Sequence, residues 1–218
     1  MTHKVLVYAE VRNGKLKSTA GECLAEAKKM LGGQMENCHA VLLGESAEQH
    51  ANKLASFGAS KVFVIKSPHT DVYQGEPHVQ ALHELVKKNG YTVVVGPASP
   101  TGRDFFPRLA ARNKSAMLTD CVSFGLDGDK VVAQIPMYLG KCSKEAVSQT
   151  ALTFITLRPN VRPAEVVNES ATASVENFVP AFDESKFTVK ISEVRKGNSE
   201  RPDLTEANII VSGGRAIG

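Results

Sequence analysis

Short apolar segments alternate with segments of helical spacing through the first half of the chain, and this alternation constrains the fold more than any other feature. The apolar segments have the length and β-branched content of buried strands, and they cover residues 4–11, 38–43, 61–65 and 91–95. The segments between them repeat apolar residues at helical spacing and cover residues 18–31, 46–57, 77–89 and 101–112. Short strand–helix–strand connections give right-handed crossovers, so the pattern predicts an α/β fold with an open, mostly parallel sheet flanked by helices.

The pattern changes after about residue 115, where strand candidates follow one another without helices between them. These candidates cover residues 118–126, 130–138, 141–148 and 151–156. Asp127-Gly128-Asp129 is a hairpin signal between the first two of them. We therefore expect antiparallel strands in the second half, extending or flanking the parallel sheet.

The sequence pattern after residue 162 gives less definite predictions of secondary structure. Residues 163–184 are rich in Ala, Glu, Ser and Asn, which indicates an irregular excursion, and residues 187–194 alternate like a half-exposed strand. Residues 195–206 are polar, with a Gly and a Pro, as in a linker. We expect an amino-terminal domain over residues 1–195 and a linker over residues 196–207.

A separate pattern covers residues 208–218. Ile209-Ile210-Val211 is typical of a strand, and Ser212-Gly213-Gly214-Arg215 follows it at once. A strand that runs into a glycine turn opens a nucleotide-binding βα unit, in which a helix comes next. The pattern predicts that residues 208–218 begin a second domain whose remainder is truncated.

Composition narrows the classes of function. The chain has 26 basic and 23 acidic residues, and a net charge of +3 is too balanced for a nucleic-acid footprint. The apolar runs are too short to insert into a membrane, and no signal peptide precedes the first strand. The four cysteines lie far apart and form no CxxC pair, which favours reduced thiols and a cytoplasmic location.

Two short segments are candidate binding sites. Gly213, Gly214 and Arg215 combine a backbone that a ligand can approach closely with a fixed cation for a flavin or a phosphate; the alternative is a simple turn with an exposed arginine. Thr101-Gly102-Arg103-Asp104 follows the fourth strand, where open parallel sheets bind ligands. A helix capped by Ser99 or Thr101, with Arg103 and Asp104 in solvent, is the simpler reading of that segment. The chain has no GxGxxG or P-loop motif, so a dinucleotide or P-loop site is not expected.

No arrangement of residues predicts catalysis. The six histidines show no HExxH or HxxxH spacing, so no metal site is expected. The cysteines have no neighbouring base that would make one of them a nucleophile. We predict that the protein is not an enzyme and that a cofactor carries its chemistry.

Several motifs resemble one family in order and spacing. They are the opening KVLVYAE, GPASPTGRDFFPRLAAR at residues 96–112, Thr119-Asp120, TLRPN at residues 156–160, RPDL at residues 201–204 and IIVSGGR at residues 209–215. Over essentially its whole length, the chain resembles the amino-terminal domain of the electron transfer flavoprotein alpha subunit. The most specific pieces are the R-P-x-L linker with its VSGGR strand, and the D-x-x-P-R-L-A-A-R helix.

The resemblance implies an adenine-nucleotide-binding-like, Rossmann-like domain that acts as an assembly scaffold. It implies a heterodimer with a beta subunit, which carries electrons from dehydrogenases to a quinone reductase or another acceptor through FAD. In that family FAD is held mainly by the alpha subunit's carboxy-terminal domain, so only Arg215 is carried over as an FAD contact, with Gly213 and Gly214 shaping its turn. This chain by itself is not expected to hold FAD. It also departs from the family at residues 137–142, where MYLGKC replaces the frequent Y-x-G-N-A segment.

Two other functions remain open from the residues. The first is a universal-stress-type module that binds ATP or AMP at the strand ends near residues 96–101. The second is a thiol enzyme or hydrolase, which the residue inventory does not support. The VSGGR strand after a linker favours the electron-transfer reading, because a stress-type module needs no second domain.

Overall fold

A computed structural model describes residues 3–195, 204, 207 and 209–217. The strands are β1 (Val5–Tyr8), β2 (Val11–Arg12), β3 (Lys15–Leu16), β4 (Cys38–Leu43), β5 (Lys61–Ile65), β6 (Val93–Pro97), β7 (Ala116–Cys121), β8 (Ser123–Asp127), β9 (Lys130–Met137), β10 (Cys142–Val147), β11 (Thr153–Leu157) and β12 (Ser174–Asn177). The helices are α1 (Thr19–Met30), α2 (Ala51–Ser56), α3 (Pro68–Asp71), α4 (Gly75–Asn89) and α5 (Pro100–Arg112).

Seven strands form one parallel sheet in the order β12-β5-β4-β1-β6-β11-β7. The strands β8, β9 and β10 form a separate antiparallel sheet, and β2 and β3 form a two-stranded ribbon. The predicted α/β fold with a mostly parallel sheet and antiparallel strands in the second half is therefore confirmed.

Both faces of the parallel sheet are covered, which is why its strands are continuous apolar runs. On one face Val5, Val7 and Leu42 pack in a cluster with α1, α2 and the antiparallel sheet. On the other face Leu6 and Phe63 pack in a cluster with α4 and α5. The domain therefore has two cores separated by its sheet.

The prediction for residues 118–156 is wrong in one respect. The expected strand over residues 118–126 is broken into β7 and β8, and β7 pairs in parallel with β11 inside the main sheet. The break lies at Val122, and just before it Asp120 has a φ of +56° where the pairing of β7 with β11 shifts in register. After β7 the chain forms the three strands of the antiparallel sheet and then returns to the main sheet as β11, which pairs in parallel with β6.

The segment 163–184, expected to be irregular, contains a packed element. Its strand β12 pairs in parallel with β5 at the edge of the sheet, and Phe178 is buried directly after it. The sequence pattern of β12 predicts a strand only weakly, because all four of its residues are exposed and no apolar alternation marks the strand.

Two predicted strands do not form. Residues 187–194 are described and have no strand, and the apolar residues Ile209, Ile210 and Val211 are exposed without strand structure. Most of the predicted linker, including residues 196–203, lies outside the described residues.

The other helices and strands begin and end within a few residues of their predicted bounds. The first strand ends at Tyr8, and the helix expected over residues 46–57 begins as a 3-10 turn at Ala47–His50 before α2. The fourth strand, β6, begins two residues later than the expected segment 91–95, and α4 begins two residues earlier than residue 77. None of these shifts changes the order of strands and helices.

Candidate ligand crevice at the carboxyl ends of the strands

The strand order reverses between β1 and β6. From β1 the chain proceeds outward through β4 and β5, and then returns to the other side of β1 with β6. In open parallel sheets, ligands bind outside the carboxyl ends of the strands at such a reversal. A cavity of about 600 Å³ lies there, and its lining includes Glu10, Ser18, Thr19, Ser99 and Arg103.

The amino-terminal ends of α1 and α5 line this cavity. Ser99 caps α5, because its hydroxyl oxygen accepts a hydrogen bond from the backbone N–H of Gly102 at 3.0 Å. Of the two expected caps, Ser99 therefore fills the role and Thr101 does not. Gly102 is required by close packing, since a Cβ at this position would lie 2.0 Å from the carbonyl oxygen of Pro97.

The side chains of Arg103 and Asp104 contact different partners. Arg103 pairs with Asp120 at 3.2 Å, while Asp104 accepts hydrogen bonds from the hydroxyl of Tyr73 at 2.5 Å and from Arg108 at 2.8 Å. The simpler reading of this segment is correct in its capped helix and in the exposure of Arg103, whereas Asp104 is half-buried. Of these two residues, only Arg103 lines the cavity.

Asp120 connects two arginines at the carboxyl ends of β7 and β11. Arg158 donates to both carboxylate oxygens, at 3.2 Å from Nε and 2.6 Å from its terminal nitrogen, and Arg103 donates from the other side. The hydrogen bonds and charge of Arg158, with the charge of Arg103, hold the pKa of Asp120 below its ordinary value. The hydroxyl of Thr156 accepts a bond from the backbone N–H of Asp120, which supports its left-handed backbone.

Two buried carboxylates of α1 hold the segment that follows β11. Glu22 accepts a hydrogen bond from the backbone N–H of Asn160 at 2.7 Å, and Glu26 pairs with Arg162. Burial raises the pKa of Glu22, and the bond from Asn160 opposes that rise. Glu26 also accepts a bond from the backbone N–H of Phe124 at 3.2 Å, so one helix anchors both the TLRPN segment and β8.

A second cavity, of about 750 Å³, lies beside the first and shares Glu10 with it. Tyr73 and His78 lie on its side nearest α4, and Val194 and Arg195 line it from the end of the continuous described segment. His78 is buried, and burial lowers the pKa of its imidazole to about 4, so the ring is neutral near pH 7. Its Nδ1 has no hydrogen-bond partner within the part of the chain that the structure describes.

Arg215 and its glycines lie apart from these cavities. Arg215 begins a 3-10 turn, residues 209–216 are exposed, and among the described residues no atom beyond its chain neighbours lies within 4 Å of the place of a Cβ on Gly214. Neither cavity is lined by any residue of this segment. The role of Gly213, Gly214 and Arg215 in holding FAD stays a prediction.

The cysteines and histidines form no reactive group in the described residues. Burial raises the pKa of Cys38 and of Cys121 to about 12, and it raises the pKa of Cys23 further. Cys142 is exposed, and all four cysteines are free. Over the described ranges no three His, Cys, Asp or Glu side chains come together as metal ligands, and no helix is long and apolar enough to cross a bilayer.

Sequence reasoning missed the ion-pair network around Asp120 and the two carboxylates of α1. The sequence did contain a signal for the two carboxylates of α1. Glu22 and Glu26 stand four residues apart among the apolar positions Cys23, Leu24 and Ala27. Charged residues at core positions of a helix need a partner, since unpaired burial of a carboxylate is costly. The identity of that partner came only from the fold.

The fold defines a class of protein, the open parallel α/β domains with a Rossmann-like sheet. Within it, the model of the electron transfer flavoprotein domain matches residues 5–183. The chain belongs to this family.

Its relatives include alpha subunits of that name. The electron transfer flavoprotein subunit alpha of Bacillus subtilis (strain 168) is 29% identical over 218 residues, which are 100% of this chain and 66% of the relative. The subunit of the same name from Thermoanaerobacterium thermosaccharolyticum is 33% identical, over 98% of this chain and 66% of the relative. The acryloyl-CoA reductase electron transfer subunit beta of Anaerotignum propionicum is 30% identical, over 98% of this chain and 65% of the relative. The chain thus spans just under two thirds of the length of these relatives.

Proposed function

We propose that this chain is the amino-terminal portion of an electron transfer flavoprotein alpha subunit. As an electron carrier rather than an enzyme, the protein passes electrons from dehydrogenases to a quinone reductase or another acceptor, through FAD and in a heterodimer with a beta subunit. Residues 1–195 are the assembly scaffold, residues 196–207 a linker, and residues 208–218 the start of the FAD-binding domain. A cytoplasmic location, expected from the sequence, remains a prediction.

The observation that carries this proposal is the match to the family over residues 5–183, together with relatives named as alpha subunits over nearly the whole chain. The charges of the first cavity do not carry the proposal, because its lining combines Glu10 with Arg12, Lys17 and Arg103.

Residues 213–215 offer one guanidinium and an open backbone, and within the described residues no side chain packs against the place of a Cβ on Gly214. A flavin ring needs apolar surface on its faces in addition to a cation. We therefore propose that Arg215 is one FAD contact among others supplied by the longer protein.

Two measurements test the proposal against the universal-stress alternative. The full-length gene is co-expressed with the beta-subunit gene of the same organism, with a tag on one subunit, and we expect both subunits to purify together in equal amounts. AMP and ATP are then titrated into residues 1–218 by calorimetry, and we expect no micromolar binding. Tight nucleotide binding without a co-purifying subunit would reject the electron-transfer reading and favour the nucleotide module.

A further inference from the structure

Glu10 is a buried carboxylate at the place where the two cavities meet. It lies just after β1, is 6% exposed, and lines both the first cavity and the second. Its carboxylate forms no hydrogen bond or ion pair with any residue that the structure describes. A buried charge without a partner is costly, so folding alone gives no reason for a carboxylate at this position.

The hydroxyl of Tyr8 is a second unpartnered group in the same place. Tyr8 is the last residue of β1, is 4% exposed, and lines the second cavity. Within the described residues, its hydroxyl neither donates nor accepts a hydrogen bond. Burial raises the pKa of Tyr8, and the charge of Glu10 raises it further, because the two side chains lie near each other. A carboxylate and a phenol therefore line one cavity with their hydrogen-bonding capacity unused.

None of the cations around these cavities pairs with Glu10 in the described part of the chain. Arg103 and Arg195 form ion pairs with other carboxylates, at 3.2 Å and 3.0 Å. Arg12 lines both cavities but forms no ion pair with Glu10. The imidazole of His78, on the wall of the second cavity, is neutral near pH 7. A ligand with an ammonium group supplies the positive charge that Glu10 lacks.

The first cavity presents the opposite charge beside Glu10. Its lining includes Arg12, Lys17 and Arg103, and Glu10 is the one carboxylate among the described residues that line it. The amino-terminal ends of α1 and α5, which carry partial positive charge, also meet there. A ligand that reaches from Glu10 into this cavity is therefore complementary when its other end is anionic. Volumes of about 600 and 750 Å³ suit a small molecule.

We propose that the adjoining cavities bind a small zwitterion whose ammonium group contacts Glu10 and Tyr8. Its anionic group, a carboxylate or a phosphate, lies toward the cations of the first cavity. A nucleotide such as AMP fits less well, because it carries no ammonium group to neutralise Glu10. This inference goes beyond the proposed function and does not depend on it, since the site lies wholly within residues 8–103.

The first test measures the melting temperature of the full-length protein without ligand. Glu10→Gln keeps the shape of the side chain and removes a buried charge that has no partner, so we expect the melting temperature to rise by about 2–4 °C. Glu169→Gln is the matched control, because Glu169 is exposed and lines neither cavity, and it should melt like the wild type. An unchanged or lower melting temperature for Glu10→Gln would mean that its carboxylate is already compensated, which overturns the proposal.

The second test titrates small ligands into the full-length protein by calorimetry. The zwitterions are β-alanine and O-phosphoethanolamine, which distinguish a carboxylate from a phosphate, and ethylamine and inorganic phosphate carry one charge each. We expect one zwitterion to bind with a Kd below about 1 mM, and both single-charge probes to bind at least tenfold more weakly. Glu10→Gln should raise the Kd of that zwitterion at least tenfold, whereas Glu169→Gln should leave it unchanged.

Hydrogen exchange of the same samples locates the bound ligand. We expect slower exchange in residues 8–19 and 98–103, which contribute to the cavity linings. The proposal is wrong if neither zwitterion binds below about 10 mM, or if Glu10→Gln binds both as tightly as the wild type. Equal affinity for inorganic phosphate and the zwitterions would also overturn it, because the ammonium group would then contribute nothing. None of these outcomes bears on the proposed electron transfer, which co-purification with the beta subunit tests separately.

Discussion

Asp120 shows how one residue can organise the carboxyl-end face of the domain. Its left-handed backbone lies near the end of β7, where the register with β11 shifts, and its carboxylate joins Arg158 to Arg103. The shift in register and the ion pairs therefore lie at the same residue. Asparagine and aspartate are the non-glycine residues that tolerate this backbone conformation best, which makes Asp120→Asn a change of charge with little change of backbone.

We expect Asp120→Asn to lower the free energy of unfolding by about 1 kcal/mol at pH 7, a value discounted for the partial exposure of the network. The pKa of Asp120 is lower in the folded than in the unfolded chain, so the unfolded state binds its proton first as the pH falls. The stabilisation is complete above the unfolded value of about 4, and it disappears as the pH falls through the folded pKa.

Urea unfolding at pH 7 and at successively lower pH measures this effect. The difference between wild type and Asp120→Asn should narrow steadily below about pH 4. Asp127→Asn, at the exposed end of β8, is the control and should match the wild type. A difference that stays constant down to pH 3 would mean that the ionised carboxylate of Asp120 is not its source.

At the residue scale, the sequence predicts what is local. Ser99 was one of two predicted caps, because a serine before a helical pattern is a short-range signal, and the structure confirms it rather than Thr101. The partner of Asp120 could not be predicted, because Arg158 lies 38 positions away and meets it only through the pairing of β7 with β11. Long-range pairs of this kind depend on the strand order.

At the scale of elements, β12 shows how a strand can exist without an apolar pattern. Its backbone pairs with β5, but the side chain that fixes it in place is Phe178, one residue beyond its end. Phe178 is 5% exposed and packs in the cluster on the α4 side of the sheet. A single buried ring after an exposed polar strand gives no periodicity, so sequence reasoning placed an irregular segment there.

We expect Phe178→Ala to lower the free energy of unfolding by about 3 kcal/mol, because it empties a buried aromatic site. Val179 is the adjacent residue and is 83% exposed, so Val179→Ala should change stability by less than about 0.5 kcal/mol. Urea unfolding of both variants gives the comparison. Equal, small effects would show that residues 174–178 do not dock on the sheet.

The parallel arrangement of β1, β4, β5 and β6 was predictable for a different reason. Each is a continuous apolar run followed by a helix, and right-handed crossovers leave few ways to arrange such units. The exit of the chain into the antiparallel sheet and its return as β11 were not predictable, because both sheets are built from similar short runs. The sequence does not mark which of two neighbouring sheets a short strand joins.

At the scale of the whole molecule, the domain has a Rossmann-like architecture, and its first cavity combines Glu10 with the cations Arg12, Lys17 and Arg103. The sequence indicated the family by the spacing of its motifs. The crevice required the fold, because its lining comes from segments far apart in the chain.

The visible absorption spectrum of the full-length protein purified with its beta subunit tests the central claim most directly. We predict flavin absorption bands in a ratio of one FAD to each heterodimer, and loss of those bands when a dehydrogenase of the same organism and its substrate are added without oxygen. A colourless heterodimer, or a bound flavin that no dehydrogenase reduces, would contradict the proposal that this chain belongs to an electron carrier.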